Sequence, residues 1–388
     1  MKDACVVAGG QSKWGYRDAT LIELFQEAGK ACFEDNPHIK PADIDGILVA
    51  SACSERLSRQ THLAPMVAEY LGIKTSSVCA RVELLCGSGS SAIILAAGMI
   101  KSGLSNTIMV IGGEKLFTPQ RWETFYSQLG SVDHDWDGAQ GLGLPPSLLS
   151  IVFQRHAALY GTTEEQLAAI SVKNRRNGLN NPKGQFRKEI TLQDAMTAKP
   201  VAAPLKLYDC CPITDGAAAV ILTSGEAAKD FTDKPLVKII GTAQATESNS
   251  ISNRGNWTTW NALKTAASRA YSKAGITADD VDVAQTHDCF TISEVIEYED
   301  LGFCEKGEGG IFAEKGLSDF GGKVAVNTDG GLLSCGHPFG GTGIRQAIEI
   351  AKQLKGDANH QVEGAKYGLT HNFSGAIVAH TILIYGRD

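Results

Sequence analysis

Residues 84–92 read Leu-Leu-Cys-Gly-Ser-Gly-Ser-Ser-Ala, and a mostly apolar segment follows them to about Lys101. Glycine permits a tight turn, and an apolar segment of this length is typical of a buried helix. We therefore expect a strand-to-helix turn at Cys86. The same order, a glycine-rich turn and then a helix, recurs at residues 336–355, which indicates a chain built from two related halves.

Strand-like and helix-like segments alternate around these two turns. The first half shows a helix pattern at residues 20–32 and strand patterns at residues 3–9, 45–51, 76–82 and 106–112. The second half shows a helix pattern at residues 260–273 and strand patterns at residues 238–245 and 376–385. Such alternation predicts an α/β architecture with a largely parallel sheet. The segment Pro-Ala-Asp-Ile-Asp at residues 41–45 is echoed by Ala-Asp-Asp-Val-Asp at residues 278–282, which supports the duplication.

The pattern also predicts the division of the chain. We place the N-terminal half at residues 1–232 and the C-terminal half at residues 233–388. Tryptophan, glycine and proline interrupt the pattern at about residues 113–200, which predicts a loop region inside the first half. Two helices are expected within it, at residues 147–159 and 163–177, and Thr163 with Gln166 forms a capping-box pattern at the start of the second.

The composition excludes several classes of protein. A formal charge of −7 is the opposite of the basic face of a nucleic-acid-binding protein, so we expect no nucleic-acid partner. No apolar run reaches the ~18 residues of a membrane-spanning helix, so no membrane contact is expected. Ten cysteines without a Cys-x-x-Cys pair, in a chain without an export signal, indicate reduced thiols in the cytoplasm.

Cys86 is a candidate nucleophile. At a helix N-terminus the positive end of the helix dipole favours the thiolate and lowers the thiol pKa. The free backbone N–H groups of such a turn can also stabilise an oxyanion on an attacked thioester. The alternative interpretation is a core cysteine beside a glycine-rich turn.

His337 is the candidate base. It lies between Gly336 and Pro338 in the second glycine-rich segment, residues 329–343. An imidazole beside a thiol supplies the general base that a cysteine nucleophile needs. The alternative is a hydrogen-bonded loop histidine, but the surrounding glycines favour a site residue.

A third segment, Gln-Thr-His-Asp-Cys-Phe at residues 285–290, ends a predicted strand and begins a helix. A Claisen-type reaction needs one group to attack a thioester and another to move the proton of the α-carbon. Cys289 is the candidate acid/base or else a core cysteine, and His287 could hold a water or donate to an enolate oxygen. Asn372, expected at the start of the last strand, offers its amide to a ligand or caps a turn. Two working cysteines predict a bell-shaped pH profile.

Together these segments resemble the thiolase superfamily. Cys86-Gly-Ser-Gly-Ser resembles the thiolase nucleophile loop, and Gly336-His337-Pro338 resembles the thiolase Gly-His-Pro motif. The segment His-Asp-Cys-Phe at residues 287–290 is similar to the motif of sterol-carrier-type and archaeal-type thiolases. Residues 160–167 and 185–191 resemble the loop region of archaeal-type acetoacetyl-CoA thiolases. The resemblance covers essentially the whole chain.

The resemblance implies a five-layer α-β-α-β-α fold made of two similar halves, usually dimeric or tetrameric. It implies reversible Claisen condensation and thiolytic cleavage of a 3-oxoacyl-CoA, by default acetoacetyl-CoA. Cys86 would carry the acyl group, His337 would activate it and Cys289 would be the acid/base. His287 would replace the usual Asn of one oxyanion hole. The terminal motif has Ser374 where glycine is expected, which puts the acyl group in doubt.

Coenzyme A would be a substrate, and neither a permanent cofactor nor a metal is expected. Because the chain is acidic, the phosphates of coenzyme A need a local basic patch. The densest basic segment includes Arg175, Arg176, Lys183 and Arg187, so these residues, with Asn372, are the predicted coenzyme A contacts. Archaeal-type thiolases also resemble subunits of assemblies with a small zinc-ribbon/OB-fold protein, which predicts such a partner.

Two other functions stay open at the level of the sequence. One is a degradative thiolase for a bulkier or aryl-bearing 3-oxoacyl-CoA, because no motif reports the size of the acyl pocket. The other is an acyltransferase on the same fold that passes the acyl group to an acceptor other than coenzyme A. A catalytically silent scaffold subunit is disfavoured because Cys86 and His337 are both present.

Overall fold

The computed structural model describes residues 3–140 and 144–388. The first half begins with these elements: β1 (Ala4–Gln11), α1 (Leu21–Asp35), β2 (Gly46–Ala50), α2 (Ser54–Leu57), α3 (Leu63–Tyr70), β3 (Cys79–Val82), α4 (Ser88–Ser102) and β4 (Thr107–Glu114). The loop region adds α5 (Arg121–Gln128), α6 (Pro145–Tyr160), α7 (Glu164–Asn177), α8 (Leu192–Met196), β5 (Pro200–Ala202) and β6 (Leu205–Lys206). Residues 141–143 of the predicted loop region lie outside the described residues.

The chain then returns to the sheet and enters its second half. The remaining elements are β7 (Gly216–Ser224), α9 (Ala228–Phe231), β8 (Val237–Thr246), α10 (Asn261–Ala274), β9 (Val283–Gln285), α11 (Thr291–Asp300), α12 (Gly309–Glu314), β10 (Ala325–Val326), α13 (Gly331–Cys335), α14 (Phe339–Lys355), β11 (Tyr367–Ser374) and β12 (Ala379–Arg387). The two helices predicted in the loop region are confirmed as α6 and α7. The capping box of Thr163 and Gln166 at the start of α7 is also present.

The strand order confirms that the two halves are similar. Ten of the described strands form one sheet with the order β3-β2-β4-β7-β1-β8-β12-β11-β9-β10. The first five strands come from the first half and the last five from the second. The second five repeat the connectivity of the first five in reverse spatial order. The two echoed segments also match, since Pro41–Asp43 and Ala278–Asp280 both form a 3-10 turn just before β2 and β9.

The prediction of a largely parallel sheet was wrong. Among the described strands of this sheet, only β2 and β9 pair in parallel with both neighbours. The five other pairings of the sheet, from β4·β7 to β12·β11, are antiparallel. The pattern at residues 376–385 concealed a hairpin, because β11 precedes β12 with a short turn between them. A turn of that length can join only antiparallel strands. His371 and Asn372 therefore lie inside β11 and not at the start of the last strand.

Three apolar clusters lie between the layers and pack the helices against the strands. The central cluster joins α4 and α14 to strands of both halves, through residues such as Ile93, Ile344, Val110 and Leu383. The two outer clusters pack α1 and α3 against the first half of the sheet and α10 and α11 against the second half. With each half of the ten-stranded sheet counted as one layer, the order helix, sheet, helix, sheet, helix is the predicted five-layer α/β arrangement.

Helices α4 and α14 approach each other most closely near their N-termini. A Cβ atom on Gly343 would lie 2.1 Å from the Ser90 hydroxyl oxygen, and one on Gly89 would lie 2.6 Å from the carbonyl oxygen of Gly340. Only glycine permits this separation. The contact brings the two glycine-rich turns of the sequence to the same point.

By length and composition alone, the segment Leu85–Ser102 could cross a membrane, a property that the expectation from the sequence overlooked. A helix in the core of a globular protein has the same property, and 56% of this segment is buried in the fold. One such segment is therefore weak evidence for a membrane span.

Candidate active site

Cys86 and His337 form a hydrogen-bonded pair where the two turns meet. The Cys86 sulfur lies 3.1 Å from His337 Nε2. On the other side of the ring, Nδ1 lies 2.8 Å from the hydroxyl of Thr342, which itself donates to the Pro338 carbonyl oxygen at 3.3 Å. Because the Thr342 proton is used there, the hydroxyl accepts from Nδ1–H of the ring. The neutral ring then has a free lone pair on Nε2, directed at the thiol.

The pair is a neutral thiol and a neutral imidazole. Burial, with smaller contributions from Glu114 and Glu83, raises the pKa of Cys86 to about 12. Burial and the nearby Arg345 lower the pKa of His337 to about 3. The prediction that the helix dipole lowers the pKa of Cys86 was wrong in its net effect, because the cost of desolvating a thiolate in this pocket is larger. The proton must therefore move to His337 as the sulfur attacks.

His287 stands beside this pair. One of its ring nitrogens, the Cys86 sulfur and a ring nitrogen of His337 all lie within 4.8 Å of one another. Its Nδ1 lies 3.0 Å from the amide nitrogen of Asn372, and its backbone N–H donates to Glu297 at 2.8 Å. Its Nε2 is buried and has no hydrogen-bond partner among the described residues. The structure thus brings His287 to the nucleophile, as predicted from the sequence.

Asp288 holds the loop that carries His337. Its carboxylate accepts from the backbone N–H groups of Leu332 and Leu333 at 2.7 and 3.2 Å, and from the Asn174 amide at 2.8 Å. Carboxylates at a helix N-terminus satisfy N–H groups that the helix leaves unpaired. Asp288 therefore connects the 287–290 segment to the start of α13, the helix that ends two residues before His337.

A cavity of about 580 Å³ opens onto the sulfur of Cys86. Cys289 lines it, just before α11, and burial raises the pKa of its thiol well above the ordinary value. Cys211 lines the same cavity, and its backbone N–H donates to the Cys289 carbonyl oxygen at 2.9 Å. Cys289 is therefore a protonated thiol at neutral pH, close to Cys86.

The predicted coenzyme A contacts separate into different places. Arg175 lines the cavity, with its guanidinium 4.1 Å from the centre of the Phe186 ring. Arg176 is half exposed and forms an ion pair with Asp319, and Arg187 donates to the Leu179 carbonyl oxygen. Lys183 lines a separate cavity. Among the described residues that line the cavity at Cys86, Arg175 is accompanied by one further cation, Lys188.

Asn372 is not one of the described residues that line the cavity at Cys86. It is fully buried, and its amide bonds to His287 and to the hydroxyl of Ser90. The amide group that was predicted to contact a ligand is used inside the protein. Its position in the middle of β11, which the sequence pattern missed, explains the difference.

Thr342, Ser90 and Cys211 are site residues that the sequence analysis missed. Thr342 had a readable signal, since it lies five residues after His337 in the first turn of a predicted helix. Ser90 also had one, since it lies four residues after Cys86, one helical turn along. Cys211 had none, because only the folded loop region brings it to Cys289.

Comparisons with known proteins identify the family of the chain. Residues 3–226 match the family described as thiolase, N-terminal domain, and residues 243–387 match the thiolase C-terminal domain-like family. The chain is 38% identical to an acetyl-CoA acetyltransferase of Methanothermobacter thermautotrophicus, and the match covers 100% of both chains. It is 33% identical to sterol carrier protein 2 of Bos taurus, over 96% of this chain and 70% of that one. The chain therefore belongs to the thiolase family.

Solved structures show the same fold. The structure described as the Ltp2-ChsH2(DUF35) aldolase matches with a TM-score of 0.86 and 24% identity, over 100% of this chain and 98% of that one. Human mitochondrial 3-ketoacyl-CoA thiolase in complex with CoA matches with a TM-score of 0.75 and 18% identity, over 99% and 98%. The protein is thus a thiolase in fold and family, an enzyme that uses coenzyme A thioesters.

Proposed function

We propose that this thiolase catalyses the reversible thiolytic cleavage and Claisen condensation of acetoacetyl-CoA, with Cys86 as the nucleophile. The observation that carries the proposal is the 3.1 Å contact between the Cys86 sulfur and His337 Nε2 at the wall of the cavity. The full-length likeness to an acetyl-CoA acetyltransferase supports the acetyl group as the acyl unit.

In the first half of the cleavage, the Cys86 sulfur attacks the C3 carbonyl carbon while its proton moves to His337 Nε2. The tetrahedral intermediate collapses, the C2–C3 bond breaks, and an acetyl group stays on the sulfur. The electron pair of the broken bond becomes the enolate of acetyl-CoA. The Cys289 thiol, protonated at neutral pH, donates its proton to C2 of this enolate.

In the second half, the thiol of free coenzyme A attacks the acetyl group on Cys86. The Cys289 thiolate takes the proton of the incoming thiol, and the imidazolium of His337 returns its proton to the departing Cys86 sulfur. Both proton carriers are then as they began. His287 donates to the enolate oxygen of acetyl-CoA. Backbone N–H groups of the Cys86 turn stabilise the oxyanion of the tetrahedral intermediate on Cys86.

The experiment that tests the proposal is a product assay with the purified chain, acetoacetyl-CoA and free coenzyme A. We expect two acetyl-CoA for each acetoacetyl-CoA consumed, and no sustained turnover when coenzyme A is omitted. Sustained release of coenzyme A without added coenzyme A, in the presence of another acceptor, would instead support acyl transfer to that acceptor. A folded enzyme that cleaves no acetoacetyl-CoA would contradict the proposal.

The pH profile of the first half-reaction is expected to be flat. Since the pKa of His337 is lowered to about 3 and that of Cys86 is raised to about 12, the neutral pair persists across the neutral range. We expect kcat/KM for acetoacetyl-CoA to change less than about threefold between about pH 6 and about pH 8. This flat profile replaces the bell-shaped pH profile expected from the sequence. Steady-state kinetics in buffers of constant ionic strength measure the pH dependence of kcat/KM. A limb with unit slope inside that range would show that one of the two groups titrates there.

Lys188 is expected to contact a coenzyme A phosphate. Its side chain is exposed at the cavity, whereas the charge of Arg176 is already paired with Asp319. Lys188→Ala is expected to raise the KM for coenzyme A about threefold to tenfold with little change in kcat, as loss of one charged hydrogen bond should. Arg176→Ala is the matched control and is expected to stay within about twofold, as for an exposed ion pair. Equal effects of the two substitutions would show that the coenzyme A phosphate does not bind at Lys188.

A second candidate is a bulkier, apolar or aryl-bearing 3-oxoacyl-CoA. The cavity supports it, because its wall includes Phe125, Leu148, Leu149, Phe290 and Phe373 and its volume is about 580 Å³. A relative 32% identical over 94% of this chain, from Thauera aromatica, is called benzoylsuccinyl-CoA thiolase subunit BbsB. Comparing kcat/KM for acetoacetyl-CoA and 3-oxo-3-phenylpropionyl-CoA decides between the two acyl groups.

We propose that the chain acts as a homodimer or tetramer in the cytoplasm, with a zinc-ribbon/OB-fold partner. The name of the Ltp2-ChsH2(DUF35) aldolase, which joins two components, supports a partner subunit. Trp122 and Trp136 in the loop region are about 60% exposed, as interface aromatics often are in an isolated subunit. All ten cysteines are free thiols, which suits a reducing compartment. Light scattering of the purified chain tests the oligomeric state. Full activity of the isolated chain would contradict the need for a partner.

A further inference from the structure

The His287 side chain is held by two residues that have no role in the proposed proton transfers. Asn372 presents its amide nitrogen to His287 Nδ1 at 3.0 Å. The Ser90 hydroxyl, on the first turn of α4, donates to the amide oxygen of Asn372. All three side chains are fully buried, so each polar atom needs a partner within the protein or a ligand.

The direction of these hydrogen bonds decides the protonation of the ring. In the structure the Asn372 amide oxygen faces Ser90, whose hydroxyl donates to it, and the amide nitrogen faces His287. An amide nitrogen can only donate. Nδ1 of His287 must therefore be unprotonated. Burial, with smaller contributions from the neighbouring histidines and Arg345, lowers the pKa of His287 well below its ordinary value, so the ring is neutral. A neutral ring with a bare Nδ1 carries its proton on Nε2.

We propose that Asn372 and Ser90 are positioning residues that fix His287 in the Nε2–H tautomer, so that it offers a donor to the enolate oxygen of the substrate. The inference rests on the proposed function and assigns the residues that prepare its oxyanion site. Nε2 is buried and has no partner among the described residues, a costly state unless a ligand accepts its hydrogen.

The same tautomer decides between two possible uses of the site. Cys86, His287 and His337 lie at a spacing that could hold a metal ion. A metal binds an unprotonated ring nitrogen, and the only unprotonated nitrogen of His287 is already bonded to Asn372. The hydrogen on Nε2 therefore favours an anionic oxygen over a cation at this point.

Nitrogen-15 NMR of the full-length enzyme, labelled at the histidine rings, tests the tautomer directly. His287→Gln identifies the His287 signals among the nine histidines. We expect wild type to show a protonated Nε2 and an unprotonated Nδ1. In Asn372→Asp the carboxylate accepts instead of donating, so Nδ1 becomes protonated. A protonated Nδ1 in wild type, or an unchanged ring in Asn372→Asp, overturns the proposal.

Kinetics with a matched pair of serines tests the consequence and does not depend on the folding of Asn372→Asp. Ser90→Ala is expected to lower kcat about threefold to tenfold with the KM for acetoacetyl-CoA nearly unchanged, because the donor is needed mainly in the transition state. Ser91, the next residue of α4, accepts from the Gln244 amide at 2.8 Å, and Ser91→Ala is the control expected to stay within about twofold of wild type. Equal losses in both variants would indicate packing alone and overturn the positioning role. A wild type with the expected tautomer but no thiolytic activity would contradict the proposed function and leave the tautomer assignment intact.

Discussion

Cys86→Ala is expected to lower kcat/KM for the cleavage of acetoacetyl-CoA by at least about 10³-fold. The substitution removes the sulfur that carries the acyl group, and among residues 3–140 and 144–388 no other group is hydrogen-bonded to His337 Nε2. Because Cys86 lies in a partly exposed turn at the cavity wall, the loss of its side chain should leave the fold intact. A stopped assay that follows acetoacetyl-CoA and acetyl-CoA by chromatography measures the effect.

The control for this result is a cysteine that takes no part in the site. Cys79 lies on β3, is exposed and does not line the cavity among the described residues. Cys79→Ser is expected to keep the activity of wild type within about twofold, as surface substitutions usually do. Retention of activity in Cys86→Ala, with the same thermal midpoint as wild type, would move the nucleophile to another thiol of the cavity.

Gly343→Ala is expected to destabilise the protein by about 1–3 kcal/mol and to reduce activity by about 10²-fold. The new methyl group would lie 2.1 Å from the Ser90 hydroxyl oxygen and 2.6 Å from the Ser90 backbone nitrogen. Helix α4 must then move away from α14, which separates the turns that carry Cys86 and His337. A displacement of that kind affects the geometry of the nucleophile–base pair directly. Urea denaturation and thiolysis kinetics measure the two effects.

Gly98 in α4 provides the matched control. It is exposed, and a Cβ atom there would meet no other atom within 4 Å. Gly98→Ala is therefore expected to stabilise the protein by about 0.5–1 kcal/mol, because alanine favours a helix interior, and to leave activity unchanged. If Gly343→Ala behaved like Gly98→Ala, the contact between the two helices would not determine the site.

The sequence predicted the catalytic pair because glycine-rich turns and apolar helices are local signals. Cys86 and His337 each stand at such a turn, and the duplicated pattern implied that the two turns are equivalent in the two halves. The contact between them depends on a close helix crossing, and its glycines could be read from the sequence without knowing what they touch. The contact between Cys86 and His337 could therefore be predicted from the sequence, but the distance between them and their protonation states could not.

The errors came from features that depend on the folded environment. The sign of the net pKa shift at Cys86 is set by burial, which a single sequence does not report. Arg175 and Arg176 are neighbours in the sequence, but successive residues of a helix point about 100° apart, so one lines the cavity and the other meets Asp319 at the surface. Because β11 and β12 form an antiparallel hairpin, Asn372 lies in the core and not at the strand end expected from the sequence. Its partner Ser90 lies 282 residues away, a pairing that no local pattern contains.

The most direct test of the central claim is mass spectrometry of the enzyme quenched with acid after mixing with acetoacetyl-CoA in the absence of free coenzyme A. The account predicts one acetyl group per chain, on the peptide that contains Cys86, and its loss when free coenzyme A is added before the quench. It also predicts no acetyl group on Cys86→Ala. An unmodified wild-type enzyme that still cleaves acetoacetyl-CoA, or an acetyl group on Cys211 or Cys289, would contradict Cys86 as the nucleophile.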